Sequence, residues 1–404
     1  MMATGAAAEP GRWRVAVLPG DGIGPEVTRA AVAVLAEAAR LAGVELETSE
    51  GRIGGDALDQ AGLPLPEETV ATCLAADAVL LGAVGGPAWD DLAPERRPEA
   101  GLLALRRALG LYANIRPVQA HPTLADASPL RREVVDGADF VVYRELGGGI
   151  YYGKPRGTAD LPGGGERAVD TMVYTTAEVE RLVRLGFAAA RRRRRRLASV
   201  DKANVLACSR LWRRTVERVA GDYPDVRVAH AYVDSCAMEI VARPAQFDVI
   251  VTGNMFGDIL SDLAACVAGS LGLLPSASLG DRGALYEPVH GSAPAIAGRD
   301  EANPLAAILS VAMMCELSLA APDAAAAVRG AVAKVLADGY RTADLAGMTA
   351  GQAAGAFGGG EKTAGSVTGT AGIGFRVRER LAKSWPRRDN GDGQYGGPHR
   401  AAKT

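Results

Sequence analysis

Short apolar runs of strand length alternate with helical stretches along most of this 404-residue chain, and that alternation limits the folds it can adopt. Helical spacing of apolar residues follows Pro25, and the capping-box pattern of residues 175–178 predicts the start of another helix. The clearest predicted strands are residues 14–18, 78–82, 140–143, 197–200, 226–233 and 248–251. This order indicates an α/β protein with a substantial parallel sheet.

The glycine turn at residues 20–24 follows the first predicted strand and resembles a dinucleotide-binding fingerprint only in part. It reads G-x-G-x-G and then Pro25, without the third glycine of G-x-G-x-x-G, and no acidic residue stands at a strand end twenty residues later. We therefore interpret it as a turn that lets the backbone approach a ligand. Glycine and proline are also dense at residues 145–165, which predicts a projecting loop or hairpin arm.

The overall charge excludes a bulk electrostatic attraction to nucleic acid or to an anionic membrane, because 45 basic residues face 47 acidic ones. The basic run 191–196 ends an amphipathic helix, where cations favour the helix dipole and solvent, so we expect a solvated surface. Five scattered cysteines indicate a reducing compartment. With no long apolar run and no signal peptide, we expect a cytoplasmic protein with flexible termini at 1–12 and 384–404.

One face of the helix predicted at residues 98–109 carries mixed chemistry. Glu99, Leu102, Leu103 and Arg106 fall at i, i+3, i+4 and i+7, so they share that face. An apolar pair between a carboxylate and a guanidinium suits an acid ligand that carries a branched alkyl group. An ordinary amphipathic helix with a solvent-tipped arginine would show the same spacing.

Two further arginines favour anion recognition over that simpler interpretation. Arg116 and Arg144 stand at the ends of apolar strands, where a charge needs an anionic partner. Together with Arg106 they offer three guanidinium forks, enough to hold two carboxylates bidentately.

Three acidic residues and one lysine are candidates for metal binding and proton transfer. Asp258 and Asp262 are i, i+4 neighbours on a predicted helix, and Asp234 follows a predicted strand, so all three could offer hard oxygen ligands to Mg²⁺ or Mn²⁺. A solvated acidic face explains the same spacing. Only six of the 45 basic residues are lysine. Lys202, at a strand end, is therefore suggestive of proton transfer, since lysine can lose its proton and arginine cannot.

Six motifs closely resemble the isocitrate/isopropylmalate dehydrogenase family of β-hydroxyacid oxidative decarboxylases. The resemblance runs almost without gaps from about residue 13 to 375, and the segment 252–262 is highly specific. The motifs are L-P-G-D-G-I-G-P-E-V at 18–27, the 98–106 helix, R-E-L at 144–146 with G-I-Y-Y-G at 149–153, D-K-A-N at 201–204, T-G-N-M-F-G-D-I-L-S-D at 252–262 and E-P-V-H-G-S-A-P at 287–294.

The resemblance implies a two-domain isopropylmalate/isocitrate dehydrogenase-like α/β fold with a central cleft, and not a Rossmann fold. The first, cofactor-binding domain would combine residues 13–111 and 269–375, and the second would span 112–268. The family is homodimeric, with an intersubunit arm near 150–172. Lys202 and Asp234 would then reach into the active site of the partner subunit.

Site roles also follow from the resemblance. Arg106, Arg116 and Arg144 would bind the malate carboxylates, assisted by Asp234, and Glu99, Leu102 and Leu103 would surround the alkyl group and the nicotinamide. Asp258, Asp262 and Asp234 of the partner subunit would hold Mg²⁺ or Mn²⁺. Lys202 would act as the general base and Tyr151 as the acid that protonates carbon. The positions expected to contact NAD are Glu287, His290, Gly291, Ser292, Ala293, Asn303 and Asp344.

The implied activity is NAD-dependent oxidative decarboxylation of 3-isopropylmalate in leucine biosynthesis. Leu102 and Leu103 replace the serine with which isocitrate dehydrogenases bind an extra carboxylate, so an alkyl substrate is expected. Ala295 departs from the family, whose NAD enzymes have an aspartate there that binds the adenosine ribose. A dehydrogenase for another 3-alkylmalate or for D-malate, and a weakly active or non-catalytic paralogue, are the alternatives.

Overall fold

The computed structural model describes residues 11–346 and 367–385, and these form a large mixed sheet covered by helices. The strands are β1 Arg12–Gly20, β2 Glu45–Glu50, β3 Ala78–Ala83, β4 Leu111–Gln119, β5 Asp139–Glu145, β6 Gly157–Asp160, β7 Glu166–Val169, β8 Arg196–Asp201, β9 Arg227–Tyr232, β10 Val249–Thr252, β11 Pro275–Gly280 and β12 Ala284–Pro288. All six predicted strands are confirmed, with small differences at their ends.

The helices are amphipathic where they cover the sheet. They are α1 Gly24–Ala42, α2 Gly55–Ala61, α3 Glu67–Ala75, α4 Pro98–Ala108, α5 Arg132–Val135, α6 Thr176–Arg192, α7 Ala207–Ala220, α8 Val233–Ala242, α9 Asn254–Leu263, α10 Ala265–Ala268, α11 Leu305–Leu317, α12 Pro322–Ala337 and α13 Thr370–Ser384. Pro25 is the second residue of α1, so the helix begins one residue earlier than expected. The capping box is present: Thr175 Oγ1 accepts from the Glu178 amide, and Glu178 accepts from the Thr175 amide. Because α11 is apolar nearly all round, it lies inside the core.

Ten strands form one continuous sheet in the order β2-β1-β3-β12-β11-β4-β5-β10-β8-β9. The pairs β12–β11, β11–β4 and β4–β5 are antiparallel and the other pairs are parallel. The sheet is therefore mixed, although parallel pairs predominate. The five strands on the β2 side come from both ends of the described chain, and the other five come from its middle. The division into two domains at 111–112 and 268–269 stays a prediction, because the sheet runs across it through the β4–β11 pair.

The glycine-rich segment contains a two-stranded antiparallel hairpin, β6–β7, whose residues are nearly all exposed. The predicted hairpin arm is thus confirmed as a local structure. The expected flexible termini at 1–12 and 384–404 lie almost entirely outside the described residues. Arg12 and Ser384 are exceptions, because they belong to β1 and α13.

The basic run at 191–196 is largely exposed, as expected, with five of its six residues at the surface, and ion pairs also tie it to the rest of the protein. Arg191 pairs with Asp225 at 2.7 Å. Arg193 bridges Asp139 and the fully buried Asp248, each at 2.8 Å. The run follows the end of α6 and holds the start of β8 against neighbouring strands. It therefore has a structural role, and the absence of nucleic-acid contact stays a prediction.

Candidate active site

The three predicted arginine clamps are buried, and they lie close enough to influence one another. Arg106, on α4, is 8% exposed, whereas Arg116 on β4 and Arg144 on β5 are 6% and 2% exposed. Arg144 pairs with Asn114 across the antiparallel β4–β5 ladder, so Arg116, two residues further along, emerges on the same face of the sheet. Burial and the nearby positive charge of Arg116 lower the pKa of Arg144, although Asp258 acts in the opposite direction.

Asp258 forms ion pairs with two of these arginines and accepts a hydrogen bond from the predicted acid. Its Oδ1 is an ion-pair partner of Arg144 Nη1 and lies 3.3 Å from Arg116 Nη2. Tyr151 donates its hydroxyl proton to Asp258 Oδ2 at 2.9 Å. Burial alone would raise the pKa of Asp258, but Arg144 and Arg116 outweigh it and keep the carboxylate charged. Burial and Asp258 raise the pKa of Tyr151, so its hydroxyl keeps its proton near neutral pH.

Asp262 lies one turn along α9, on the same helix face. Arg116 Nη1 is 3.2 Å from Asp262 Oδ1 and donates to Ser261 Oγ at 2.7 Å. The acidic pair is therefore only partly the solvated face that the spacing also allowed: the Asp262 side chain is 55% exposed, but a buried guanidinium group lies against each carboxylate. Carboxylate oxygens on one helix face are a donor set that suits Mg²⁺ or Mn²⁺.

Lys202 and Asp234 form a separate ion pair. Lys202 Nζ donates to Asp234 Oδ1 at 2.6 Å, and their side chains are 28% and 65% exposed. In residues 11–346 and 367–385, no group of three His, Cys, Asp or Glu side chains within one chain could hold a metal ion. Asp234 is thus not brought together with Asp258 and Asp262 inside this chain.

The predicted face of α4 contains one residue that packs against the core and others that are more exposed. Leu102 packs against a core cluster that includes Leu105 and Leu146, as in an ordinary amphipathic helix, whereas Leu103 is half-buried. Glu99 is exposed and lies against Gly85, where an added Cβ would come within 2.5 Å of Glu99 Oε1.

The residues expected to contact NAD form two groups. Glu287 ends β12 and accepts from Arg106 Nη2 at 2.7 Å. In the loop that follows, His290 Nδ1 donates to the Gly291 carbonyl, which leaves Nε2 as a buried acceptor with no partner among residues 11–346 and 367–385. Burial lowers the pKa of His290, so the ring is neutral. An orphaned acceptor of this kind suits a hydroxyl or amino donor of a nucleotide.

The second group joins two segments that are distant in sequence. Asn303 Nδ2 donates to Asp344 Oδ2 at 3.0 Å, and Ser270 Oγ and Thr342 Oγ1 donate to the same carboxylate. Ser292 is buried, whereas Gly291, Ala293 and Ala295 are exposed. At the positions of Ala293 and Ala295 the chain therefore has only backbone groups and methyls to offer a ligand.

The glycines of the turn at 20–24 are required by contacts within the protein, and the expected approach of this turn to a ligand stays a prediction. An added Cβ on Gly20 would lie 2.0 Å from the Ala83 carbonyl oxygen, and one on Gly22 would lie 2.0 Å from that of Ser292. Both glycines have positive φ angles. The turn therefore packs between the end of β3 and the loop that carries the predicted NAD contacts.

Several polar residues of the site were not singled out from sequence. Asn254 and Ser261 lie within the specific 252–262 motif, and Asn114 Oδ1 accepts from Arg116 Nε at 2.7 Å. Glu145, directly after Arg144, is fully buried, and burial raises its pKa to about 7. Asp21 accepts backbone hydrogen bonds from Gly55, Asp56 and Gly85. A polar residue at the end of an apolar strand was the signal that could have revealed Glu145.

No helix in the described part of the chain is both long and apolar enough to cross a membrane.

Comparison with known proteins gives consistent matches along the chain. Residues 14–358 match the family described as isocitrate/isopropylmalate dehydrogenase. A 3-isopropylmalate dehydrogenase of Moorella thermoacetica is 58% identical over 336 residues, which cover 82% of this chain and 93% of the relative. One from Aquifex aeolicus is 56% identical over 334 residues, covering 83% and 92%.

Solved structures agree with this fold. Isocitrate dehydrogenase from Methylococcus capsulatus superposes with a TM-score of 0.76 at 35% identity, over 91% of this chain and 99% of that one. A β-decarboxylating dehydrogenase from Thermococcus kodakarensis gives 0.71 at 34% identity, over 93% and 100%. The expected fold class is confirmed, and the chain belongs to the isocitrate/isopropylmalate dehydrogenase family.

Proposed function

We propose that this protein catalyses the NAD-dependent oxidative decarboxylation of 3-isopropylmalate to 4-methyl-2-oxopentanoate and CO₂, a step of leucine biosynthesis. The observation that carries the proposal is the group of three buried arginines, Arg106, Arg116 and Arg144, beside the half-buried Leu103. Relatives that bear the name 3-isopropylmalate dehydrogenase, at 56–58% identity over most of the chain, support it.

The arginines bind the two carboxylates of the substrate. Leu103 faces its isopropyl group, and Leu102, which packs against the core but is only partly buried, is assigned to the same apolar wall. Guanidinium forks suit planar carboxylates because they donate two parallel hydrogen bonds. In the structure, Arg116 and Arg144 both form ion pairs with Asp258, and Arg106 forms one with Glu287. The substrate carboxylates accept hydrogen bonds from the arginine N–H groups that Asp258 and Glu287 leave free. The apolar side chains of Leu102 and Leu103 disfavour a third carboxylate such as that of isocitrate.

Asp258 and Asp262 would hold Mg²⁺ or Mn²⁺ together with Asp234 of the partner subunit; when bound, the ion supplies Lewis-acid stabilisation of negative charge on the substrate oxygens. Exposed apolar side chains on and near α8 and α9 support a homodimer, because such a surface is covered in stable assemblies. The most exposed are Val205, Met238 and Ile259, at 63%, 73% and 58%. Lys202 and Asp234 adjoin this surface, so each subunit would complete the site of the other.

Proton transfers are assigned to Lys202 and Tyr151. Lys202 would act as the general base that accepts the proton of the C2 hydroxyl, and NAD⁺, when bound, would supply the hydride acceptor. After CO₂ is lost, Tyr151 donates its hydroxyl proton to the carbon. Asp258, which already accepts that hydrogen bond, orients the tyrosine.

The NAD contacts are assigned to Glu287, His290, Gly291, Ser292, Ala293, Asn303 and Asp344. His290 Nε2 has no hydrogen-bond partner in the described part of the chain, and a Cβ added to the exposed Gly291 would meet no described atom within 4 Å, so both positions fit a nucleotide. Ala295 carries no acceptor for the ribose hydroxyls and no cation for a 2′-phosphate. We therefore propose weak NAD⁺ binding with no compensating preference for NADP⁺.

The test is a steady-state assay with 3-isopropylmalate, Mg²⁺ or Mn²⁺, and NAD⁺ against NADP⁺. We expect NADH formation that depends on the metal, and a kcat/KM higher for 3-isopropylmalate than for D-malate, shorter 3-alkylmalates or isocitrate. One methylene in such a pocket changes kcat/KM by roughly 10- to 200-fold. Higher kcat/KM for another malate would reassign the substrate, and no turnover of any of them would contradict the proposal.

A further inference from the structure

Asn254, the first residue of α9, connects Arg144 with the loop that leads to Tyr151. Its Oδ1 accepts two hydrogen bonds from Arg144, from Nε at 3.0 Å and from Nη2 at 2.8 Å. Its Nδ2 donates to the carbonyl oxygens of Leu146, at 3.3 Å, and Gly148, at 3.1 Å. Because guanidinium groups only donate and carbonyls only accept, the orientation of this amide is unambiguous.

These contacts determine which edge of the Arg144 guanidinium is available to a ligand. Asn254 occupies the side edge, formed by Nε and Nη2, and Asp258 accepts from Nη1. A guanidinium has five N–H groups, so one N–H on each terminal nitrogen remains. The remaining Nη2 group lies on the terminal edge, which is the edge that Asn254 leaves open to a carboxylate.

Asn254 is held firmly enough to set that geometry. It is 1% exposed, and its backbone amide donates to Tyr174 Oη at 2.7 Å. A Cβ on Gly149 would lie 2.4 Å from the same Tyr174 oxygen, and one on Gly257 would lie 2.7 Å from Arg144 Cβ. Close packing on both sides therefore prevents the amide and the arginine from moving apart.

The loop between Arg144 and Tyr151 is also held from its opposite side. Glu145 accepts hydrogen bonds from the amides of Gly147, at 2.9 Å, and Gly148, at 2.8 Å. Asn254 thus binds carbonyl groups of a loop whose amide groups are already fixed. This leaves the Asn254 side chain a single low-energy position.

We propose that Asn254 is a positioning residue that aims the terminal edge of Arg144 at a substrate carboxylate. This inference rests on the proposed function, because it assigns the orienting group for one of the proposed carboxylate clamps. Asn254 does not touch the substrate. Its effect should therefore depend on the arginine through which it acts.

The test is a double-mutant cycle that combines N254A with R144K, measured in the full-length protein. Lysine has no Nε–Nη2 edge, so R144K removes the same Asn254–Arg144 contact by changing the arginine partner. We expect N254A to raise the KM for 3-isopropylmalate by about 10- to 100-fold, because the loss of a hydrogen bond to a charged group typically weakens binding by roughly that factor. The kcat and the KM for NAD⁺ should change less. In the R144K background, N254A should raise KM by less than about 3-fold, because coupled residues are not additive.

T252V is the matched control. Thr252 is fully buried two residues before Asn254, and its Oγ1 donates to the Val200 carbonyl at 2.9 Å. Valine is nearly isosteric, so this variant loses a buried hydrogen bond beside the site without changing Arg144. It should lower Tm and leave the KM for 3-isopropylmalate within about 2-fold of wild type. N254S, whose hydroxyl is too short to bridge both partners, provides a second variant if N254A does not fold.

The outcomes separate this inference from the proposed function. Wild-type protein without metal-dependent turnover of 3-isopropylmalate would contradict the function itself. Wild-type turnover combined with an N254A or N254S KM no higher than that of T252V would overturn only the positioning role. Additive effects of N254A and R144K on KM would overturn it as well, since they would indicate a general structural effect.

Discussion

Arg106 Nη2 donates to Glu287 Oε1 across 2.7 Å, and this ion pair joins α4 to the end of β12. Both side chains are about nine-tenths buried, at 9% and 10% exposure. Burial alone would lower the pKa of Arg106, but Glu287 raises it overall. A residue proposed to bind substrate is thus paired with one proposed to bind NAD, so occupancy of either site should affect the other.

E287Q should destabilise the protein, because it leaves the buried Arg106 charge without a counter-charge. Breaking a buried pair costs about 3–5 kcal/mol, and the remaining amide carbonyl should reduce that cost to roughly 1–3 kcal/mol. Urea denaturation gives the free energy of unfolding. E47Q is the control, since Glu47 pairs with Arg12 at 44% exposure on both sides and should change it by less than about 1 kcal/mol. Equal effects of the two variants would contradict the prediction.

K202R should keep the fold and lose catalysis. Arginine preserves the charge beside Asp234 but cannot act as a base near neutral pH. We expect kcat to fall by about 10²- to 10⁴-fold, with a far smaller change in KM. Steady-state kinetics and circular dichroism measure the two properties. K383R, on α13 and paired with Glu379 at 2.8 Å, should behave like wild type. A K202R kcat within a few fold of wild type would exclude Lys202 as the base.

A295D should strengthen NAD⁺ binding. The new carboxylate could accept both ribose hydroxyls, a contact worth about 1–3 kcal/mol, or roughly 5- to 150-fold in affinity. The KM for NAD⁺ should therefore fall while that for 3-isopropylmalate stays the same. A297D adds the same charge two residues later and controls for a general electrostatic effect. If wild-type protein already binds NAD⁺ as tightly as A295D does, the residue at position 295 does not limit affinity.

The stability of the protein should fall as pH rises from about 4.5 to about 7, through Glu145. Its folded-state pKa is raised to about 7 by burial, so the folded protein binds a proton that the unfolded chain has released. The contribution amounts to at most about 3 kcal/mol. E145Q lacks this titration, so the difference in unfolding free energy between wild type and variant should change across that interval and be constant above it. Parallel pH profiles would place the Glu145 pKa elsewhere.

M238E should weaken the proposed dimer and, with it, activity. Met238 is 73% exposed on α8, and a buried charge at an apolar interface is unfavourable. Sedimentation velocity should detect dissociation at micromolar concentration, and specific activity should rise with protein concentration. F375E is the control, because Phe375 is 58% exposed on α13, which carries none of the proposed interface residues. A dimeric, inactive M238E, or an active monomer, would contradict shared active sites.

Local patterns were sufficient to predict the secondary structure and many of the site residues. The six clearest strands, the capping box at Thr175 and the helix start next to Pro25 depend on neighbours within one turn or one strand. Arg144 was recognisable because a charge near the end of an apolar strand needs a partner. Arg116 was predicted on the same ground, but it lies within β4, three residues before the strand ends. Asp258 and Asp262 were recognisable from their helical spacing, and the specific motifs related the chain to its family.

Tertiary structure alone decided which groups meet. Arg106 and Glu287 are separated by 181 positions, and Arg144 and Asn254 by 110, so no local pattern relates them. The continuous sheet, the burial of Glu145 and the ion pairs of the 191–196 run likewise depend on which strands become neighbours. Sequence by itself determined the elements and the chemical character of the site. Packing determined the partners, because pairing of buried charges depends on distances that exist only after distant segments are brought together.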